Sequence, residues 1–267
     1  MGLKLFSIGS SSSGNSYLIQ SEGTALLLDA GLSGKAIRAG ISEAGLSTSD
    51  IQGILLTHEH CDHDKSAHVI AKHCADASVY ASGGTIRSSA SLGKLPDERL
   101  EVVQKGQTFD IGDIRVKVFA LSHDASEPVS YMFTSGSDTL AVVTDSGIVT
   151  EEIYGEMLAA NKLVFESNHE EDLLMFGPYP YQLKRRILSD IGHLSNKTSG
   201  TVLARYLEDK AQEEAMVTIM LAHLSPTNNT PSQAEWTVGD ILSSRGFEKN
   251  RDYSMNIALK EELTLLE

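Results

Sequence analysis

The sequence predicts an α/β fold of four layers, an αββα sandwich in which two β-sheets pack face to face with helices outside. In the first third, short runs of leucine and β-branched residues alternate with glycine and serine turns. A meander of strand-like runs follows Leu100, and the second half alternates strands with helices. Because 267 residues, 41% of them hydrophobic, suffice for one substantial core, we expect a single domain over residues 1–267.

The predicted elements follow in chain order. Strands are expected at "LKLFSIG", "SYLIQ", "TALLLDAG", "GILLT" and "SVYAS", with helices near 35–44 and 65–75. The meander comprises "EVVQ", "TFDIG", "IRVKVFALSH", "VSYMFTSG" and "TLAVVTDSG", and "SGSD" indicates a tight turn before its last strand. Further on, helices are predicted over 151–160, 181–189, 198–209 and 232–244, and strands at "KLVFES", "VTIMLAHLS" and "SMNIALK".

Composition excludes several classes of protein. A formal net charge of −14 argues against a broadly basic protein that coats nucleic acid, so phosphate attraction must come from a local patch or from bound cations. No apolar run approaches the ~18 residues of a membrane helix, and "MGLKLFSIGS" lacks the features of a signal peptide. We therefore expect a soluble cytoplasmic protein without a membrane partner. With only Cys61 and Cys74 present, a structural disulfide is not expected.

The stretch "ILLTHEHCDH" places three histidines and an aspartate directly after an apolar strand. His58 and His60 are two apart on an extended segment, so their side chains leave the same face, whereas Asp62 and His63 fall where the next helix starts. Neutral imidazole and carboxylate suit zinc, manganese or iron, and this arrangement supplies two ligand sets. Four residues cannot hold two catalytic ions, so further ligands must come from elsewhere in the chain.

Those ligands are available at the ends of later strands: His123 in "FALSHDA", Asp145 in "VVTDSG" and His223 in "IMLAHLS". A lone histidine after a strand is more often a hydrogen-bonded structural residue. Here the clustered motif and a common sheet edge favour a site for two divalent metal ions. His68 and His73 neither share a clean helix face nor follow a strand, so they are not expected to bind metal.

These motifs, together with the upstream "LLLDAG", resemble the five-motif pattern of the metallo-β-lactamase-fold hydrolases, in the same order from Asp29 to His223. The resemblance implies an αββα sandwich of the metallo-β-lactamase type with a dinuclear site at the sheet edge. Asp29 would orient the ligand loop through hydrogen bonds without binding metal itself. The implied ligands are His58, His60 and His123 for one ion and Asp62, His63 and His223 for the other, with Asp145 bridging.

A second resemblance concerns "LVFESNHE" followed by "GHLSN", which is similar to a segment of the transfer-RNA 3′-processing endonucleases. It implies that Glu166 orients His193 and that His193 protonates the leaving oxygen as general acid, while a metal-activated hydroxide attacks. In the alternative interpretation, "GHLSN" is a loop in which Ser195 or Asn196 caps the following helix, and the two interpretations are compatible. The predicted catalytic residues are His193, Glu166 and the ligand Asp62.

Two further stretches are candidate substrate contacts. The serine and glycine run "IGSSSSGNSYLI" is either an ordinary hairpin or a cradle for a phosphate. In "YPYQLKRRI", three adjacent cations flanked by tyrosines form either a phosphate patch or a solvated helix face. The candidate substrate-binding residues are Ser11, Ser12, Ser13, Asn15, Lys184, Arg185, Arg186 and Asn196.

Across nearly the whole chain, "GSSSSGNSYLI", "DAGLSGK", "ESNHE", "GPYP" and "GHLSN" look most like the bacterial YycJ (WalJ) branch of the superfamily. That branch implies a 5′-to-3′ exonuclease acting on DNA rather than RNA, with zinc, manganese or iron. The sequence leaves open a small-molecule phosphodiesterase or a glyoxalase II-like thioester hydrolase. His60 disfavours a flavin-coupled diiron oxidoreductase, and a noncatalytic binder is disfavoured because all seven ligand positions are filled.

Overall fold

The computed structural model describes residues 2–211 and 216–266. Within it, one compact unit comprises residues 2–120, 125–138 and 259–266, and a second comprises residues 121–124, 139–211 and 216–258. The strands belong to two mixed seven-stranded sheets, accompanied by helices. The assignment of a single domain to residues 1–267 stays a prediction.

The strands are β1 (Lys4–Ser11), β2 (Gly14–Gln20), β3 (Ala25–Leu28), β4 (Ile51–Leu55), β5 (Ser78–Ser82), β6 (Leu100–Val103), β7 (Thr108–Ile111), β8 (Ile114–Ala120), β9 (Val129–Ser135), β10 (Asp138–Val143), β11 (Lys162–Glu166), β12 (Val217–Ala222), β13 (Tyr253–Ile257) and β14 (Thr264–Leu266). The helices are α1 (Gly34–Glu43), α2 (Cys61–Asp64), α3 (Ala67–His73), α4 (Gly83–Ser88), α5 (Glu151–Leu158), α6 (Glu171–Phe176), α7 (Tyr181–Ile187), α8 (Asn196–Lys210) and α9 (Pro231–Ser244). Short 3₁₀ turns lie at Thr48–Asp50, Leu92–Lys94 and Asp97–Arg99.

The first unit contains one complete sheet, with strand order β14-β1-β2-β3-β4-β5-β6. Strands β3 and β4 are parallel, with Leu28 opposite Leu55, and the backbone N–H of Asp29 donates to the carbonyl of Leu55 at 2.8 Å. Because the carboxyl ends of parallel strands meet at one sheet edge, Asp29 lies beside the segment that carries His58. The unit also contains the antiparallel strands β7, β8 and β9 of the second sheet.

In the second unit, β10, β11, β12 and β13 are parallel neighbours. Val143 lies opposite Phe165, and Glu166 lies opposite Ala222. The residues that follow β10 and β12 therefore share one edge with Glu166, the last residue of β11.

Burial patterns explain why these segments are strands. The cores of β10, β11 and β12 are continuous apolar runs, such as "LAVV" and "LVF", and are fully buried, as expected for parallel strands covered on both faces. In the first unit, α1 and α3 contribute Ile37, Ile41 and Ile70 to a cluster that includes Leu27 and Ile54 of the sheet. Burial of these side chains fixes the strand ends from which the polar residues project.

Most predicted elements are present, with small differences at their ends. The helix expected over 65–75 is α3, and a separate one-turn helix, α2, precedes it and contains Asp62 and His63. Sequence reasoning missed α4, α6 and β14, all six residues or shorter. The helix expected over 198–209 begins two residues earlier, with Ser195 as its N-cap. Cys61 and Cys74 are both free thiols.

Gly31 packs directly against the backbone of α2. A Cβ atom at this position would lie 1.5 Å from the carbonyl oxygen of Asp62, and backbone cannot move as a flexible side chain can. We expect Gly31→Ala to lower the free energy of unfolding by about 2–3 kcal/mol. Urea denaturation followed by circular dichroism measures this loss.

The matched control is Gly93→Ala, because a Cβ at Gly93 meets no atom within 4 Å. Equal unfolding midpoints for the two variants would contradict the claim that Gly31 is required by this contact.

Candidate metal centre

Four of the predicted ligands lie in the first unit, just after β4. Leu56 and Thr57 separate the end of β4 from His58, His60 is the N-cap of α2, and Asp62 and His63 are in that helix. The ring centroid of His58 is 4.6 Å from that of His60 and 4.2 Å from that of His63. Oδ2 of Asp62 lies 3.5 Å from Nε2 of His63. The structure thus brings these four donors together in one cluster.

The carboxylate of Asp29 is hydrogen-bonded to this cluster. Its Oδ1 accepts from the backbone N–H of Thr57 at 2.9 Å, and its Oδ2 lies 2.7 Å from Nδ1 of His63. The hydroxyl of Thr57 is 3.0 Å from Nδ1 of His58. Both rings are therefore engaged through Nδ1, so a metal would be bound through Nε2, which in His63 also lies 3.1 Å from Nδ2 of Asn15.

The serine-rich hairpin between β1 and β2 contacts the same cluster. Asn15 is buried, and its Nδ2 lies 3.1 Å from Nε2 of His63 and donates to the carbonyl of Ser11 at 3.0 Å. The hydroxyl of Ser11 lies 2.8 Å from that of Ser13, and the side chains of Ser12 and Ser13 are exposed at the turn. Asn15 is thus a neighbour of a predicted ligand, and of these four residues Ser12 and Ser13 are the exposed ones.

The remaining predicted ligands lie in the second unit and are buried. Oδ1 of Asp145 is 3.4 Å from Nε2 of His223 and 3.9 Å from Nε2 of His123. The loops that carry His123 and Asp145 are joined by a hydrogen bond from the N–H of Gly147 to the carbonyl of Ser122, at 2.9 Å. A second bond links the N–H of Ser122 to the hydroxyl of Ser146, at 3.2 Å.

Glu166 shares one carboxylate oxygen between two histidines. Its Oε1 lies 2.9 Å from Nδ1 of His193 and 2.8 Å from Nδ1 of His223, and its Oε2 accepts from the N–H of Leu194 at 3.0 Å. Burial alone would raise the pKa of this carboxyl, but the adjacent His193 and His223 imidazoles outweigh burial and hold the pKa well below its usual range. Glu166 is therefore ionised, and it orients both a predicted ligand and the predicted general acid.

Three of these residues adopt left-handed backbone conformations. Asp29, Asp145 and His223 have φ values of 58°, 59° and 58°. This conformation costs a non-glycine residue about 1–2 kcal/mol and is concentrated at functional sites. Two of the carbonyls are fixed by neighbouring side chains, since Ser16 donates to Asp29 and Asn168 donates to His223, each at 2.8 Å. At each of these positions the left-handed conformation turns the backbone sharply at the end of the strand.

Donor spacing within each unit fits a bound divalent ion. Two ligands of a tetrahedral zinc ion, each about 2.1 Å from the metal, lie about 3.4 Å apart. The pair Asp62 Oδ2 and His63 Nε2 (3.5 Å) and the pair Asp145 Oδ1 and His223 Nε2 (3.4 Å) both match this separation. The buried histidine and aspartate clusters are therefore consistent with a binuclear metal site.

The segment after β11 has a structural role that sequence reasoning missed. Asn168 donates its backbone N–H to the carbonyl of Leu194 at 2.9 Å, and its carbonyl accepts from Ser225 at 2.8 Å. It thereby joins the loops that carry His193 and His223. His169 is buried, and burial lowers its pKa to about 4, so the ring is neutral at neutral pH. The run of polar residues "ESNHE" at the end of a buried strand was the available signal.

The interpretation in which Asn196 caps α8 is wrong. Ser195 is the N-cap of this helix, and its hydroxyl accepts from the N–H of Thr198 at 3.1 Å. Asn196 is fully buried, and its side-chain amide is hydrogen-bonded to Ser167, Asn229 and Glu170. These bonds occupy the groups with which it would contact a substrate.

The three cations of α7 differ in their intramolecular contacts. Nζ of Lys184 donates to the carbonyls of Met175 and Gly177, both at 2.8 Å, and Arg186 forms an ion pair with Asp124. Arg185 is exposed. Two of the three predicted phosphate-binding cations, Lys184 and Arg186, are therefore engaged within the chain, whereas Arg185 is presented to solvent.

The chain matches the model of the β-lactamase superfamily domain over residues 24–218. It therefore belongs to the metallo-β-lactamase superfamily, as the motif order predicted. YhfI of Bacillus subtilis, a metallo-β-lactamase-fold protein of known structure, superimposes with a TM-score of 0.74 at 16% identity, covering 99% of this chain and 100% of that one. The predicted α/β sandwich of the metallo-β-lactamase type is confirmed.

Within the superfamily, the chain is homologous to proteins named exodeoxyribonuclease YycJ and WalJ. It is 40% identical to YycJ of Bacillus anthracis over 248 residues, which cover 92% of each chain. It is 34% identical to WalJ of Streptococcus pneumoniae over 258 residues, which cover 96% of this chain and 94% of that protein. The predicted resemblance to this branch is confirmed.

Among the residues that the structure describes, no helix is both long and apolar enough to cross a membrane. The cytoplasmic location stays a prediction.

Replacement of Asp29 by asparagine tests its hold on His63. Asparagine tolerates the left-handed conformation, so the variant removes the charge without adding backbone strain. We expect the affinity for Zn²⁺ to fall about 10- to 100-fold, the usual effect of losing a carboxylate that orients a ligand histidine. Competition with a chromophoric chelator measures the affinity.

Asp113→Asn provides the control, because Asp113 likewise accepts hydroxyl hydrogen bonds, from Ser21 and Ser135, but is not part of the cluster. Equal zinc affinity for the Asp29→Asn and Asp113→Asn variants would rule out the proposed role of Asp29.

Proposed function

We propose that the chain is a metal-dependent phosphodiesterase that degrades DNA, specifically a 5′-to-3′ exodeoxyribonuclease. Homology to YycJ and WalJ supports DNA as the substrate. The observation that carries the proposal is the Glu166 carboxylate, which contacts both His193 and His223. A general acid tied to a predicted metal ligand is suited to cleavage of a bond with a poor leaving group, such as a phosphodiester.

In this proposal seven side chains hold two divalent ions of zinc, manganese or iron. The assignment rests on superfamily membership and on the donor chemistry inside each unit. The chemistry supplied by such ions is activation of a water molecule and neutralisation of charge on the phosphodiester. The proposed ligands are His58, His60, Asp62, His63, His123, Asp145 and His223.

The proposed catalytic residues act around these ligands. Because Nδ1 of His193 is hydrogen-bonded to Glu166, Nε2 is the nitrogen from which a proton can pass to the leaving oxygen. The His193 side chain is 12% exposed, compared with 0% for Glu166, so the acid is accessible while its orienting carboxylate is not. Asp62, with a 20% exposed side chain, is the most accessible carboxylate among the proposed ligands.

Reaction class is tested by incubating metal-loaded protein with end-labelled single- and double-stranded DNA and RNA, a chromogenic phosphodiester and a thioester. We expect stepwise shortening of DNA from the 5′ end. Asp145→Asn removes the negative charge of a proposed ligand while tolerating φ of 59°, and should reduce turnover to background. Hydrolysis of the thioester alone, or DNA cleavage that persists in Asp145→Asn, would refute the proposal.

His193→Ala tests the general acid separately from the metal site. We expect turnover on DNA to fall about 100-fold or more, the scale of general acid catalysis, with metal content unchanged. Metal content is measured by inductively coupled plasma mass spectrometry. The control is His73→Ala, at an exposed histidine of α3. Turnover equal to that of the control would show that His193 has a structural role and is not the general acid.

A further inference from the structure

The segment between Glu166 and His193 carries an exposed group of large apolar side chains. Phe176 at the end of α6 is 88% exposed, Tyr181 at the start of α7 is 74% exposed, and Met175 is 53% exposed. Exposed apolar residues scattered singly are ordinary, but a cluster of them indicates a binding surface. We refer to the side chains of Phe176 and Tyr181 as the aromatic face.

Other residues anchor both helices to the protein, so the aromatic face stays exposed when the chain folds. Leu174 of α6 is fully buried, and Phe176, two residues later, lies about 200° around the helix from it. Ile187 is the buried residue of α7. Folding therefore buries one side of each helix and leaves the aromatic side in solvent.

Lys184 links the backbone on both sides of Phe176 to α7. Its Nζ donates to the carbonyls of Met175 and Gly177, the two residues that flank Phe176. Lys184 and Tyr181 are three apart on α7, and such residues lie on the same face of a helix. The end of α6 is therefore tied to the side of α7 that carries Tyr181.

The aromatic face is also connected to the proposed general acid. The backbone N–H of His193 donates to the carbonyl of Ile187, the last residue of α7, at 2.9 Å. Tyr181 precedes Ile187 by six residues, which is about 9 Å along a helix. A few nucleotides of single-stranded DNA span that distance.

Charge favours a phosphate-bearing occupant over a protein. Lys184, Arg185 and Arg186 are consecutive on α7, in a chain whose formal net charge is −14. Arg185 is exposed, while the other two are partly engaged in intramolecular contacts. A limited cationic patch beside exposed rings is the combination by which proteins bind single strands, with stacking as the sequence-tolerant contribution.

Building on the proposed nuclease function, we propose that Phe176 and Tyr181 form a stacking platform for unpaired bases of the DNA strand being cleaved. Bases within a duplex are already stacked on one another, so the platform selects a single-stranded end. In this proposal the cationic patch of Lys184, Arg185 and Arg186 contributes a weaker attraction to the phosphates beside the rings.

The test compares Phe176→Leu with Phe176→Tyr in the metal-loaded protein. Leucine keeps an apolar side chain but has no ring, whereas tyrosine keeps the ring. We expect Phe176→Leu to raise KM for single-stranded DNA about 5- to 150-fold, and Phe176→Tyr to stay near wild type. Hydrolysis of methyl p-nitrophenyl phosphate, which is too short to reach the platform, should be unchanged in both. Trp236→Ala, at a 67% exposed aromatic residue of α9, is the control.

A second measurement separates this inference from the nuclease proposal. Anisotropy of a fluorescent, phosphorothioate-linked single strand reports binding without cleavage, and its affinity should fall in Phe176→Leu by the same factor as KM rises. If wild type binds the strand in this way but cleaves no nucleic acid, the platform stands and the nuclease proposal fails. If Phe176→Leu binds and cleaves single strands as wild type does, the platform is wrong, whether or not sedimentation shows that the face mediates self-association.

Discussion

The candidate site depends on buried carboxylates that hold imidazole rings by Nδ1. Asp29 holds His63 at 2.7 Å, and Glu166 holds His193 and His223 at 2.9 and 2.8 Å. Each bond fixes the tautomer and the direction of a ring, and thus which nitrogen faces a metal or a substrate. Burial strengthens these interactions because little water competes for the charge. The parallel strands matter because they deliver carboxylate and imidazole to the same edge in each unit.

The candidate site residues could be proposed from sequence because they follow strands in a distinctive order. His58 and His60 of "THEHCDH" were selected by alternation along an extended segment, and Asp62 and His63 by their place at the start of the next helix. Asp145 and His223 were selected by their position after apolar runs. Such local patterns are dictated by strand periodicity and survive without knowledge of the fold. The confirmed superfamily membership and the sandwich fold were predicted from the same residues.

Hydrogen bonds between distant segments could not be predicted in this way. Asn168 joins two loops, and Asn196 is drawn into a buried polar network, because the segments around them are brought together only in the folded chain. The cations of α7 illustrate the same limit. Sequence shows three adjacent charges, but only the structure shows that Lys184 and Arg186 have intramolecular partners. Short elements such as α6 also carry too few residues for a periodic signal.

The left-handed residues restrict how this site can be altered. Asp29, Asp145 and His223 each combine a side chain of the candidate site with a backbone geometry that β-branched residues resist. A library that randomises these positions would lose stability at many members, so it is better limited to glycine, asparagine, aspartate and histidine, which tolerate this conformation. His58 and His63 do not adopt this conformation, so substitutions there would not meet the same backbone restriction.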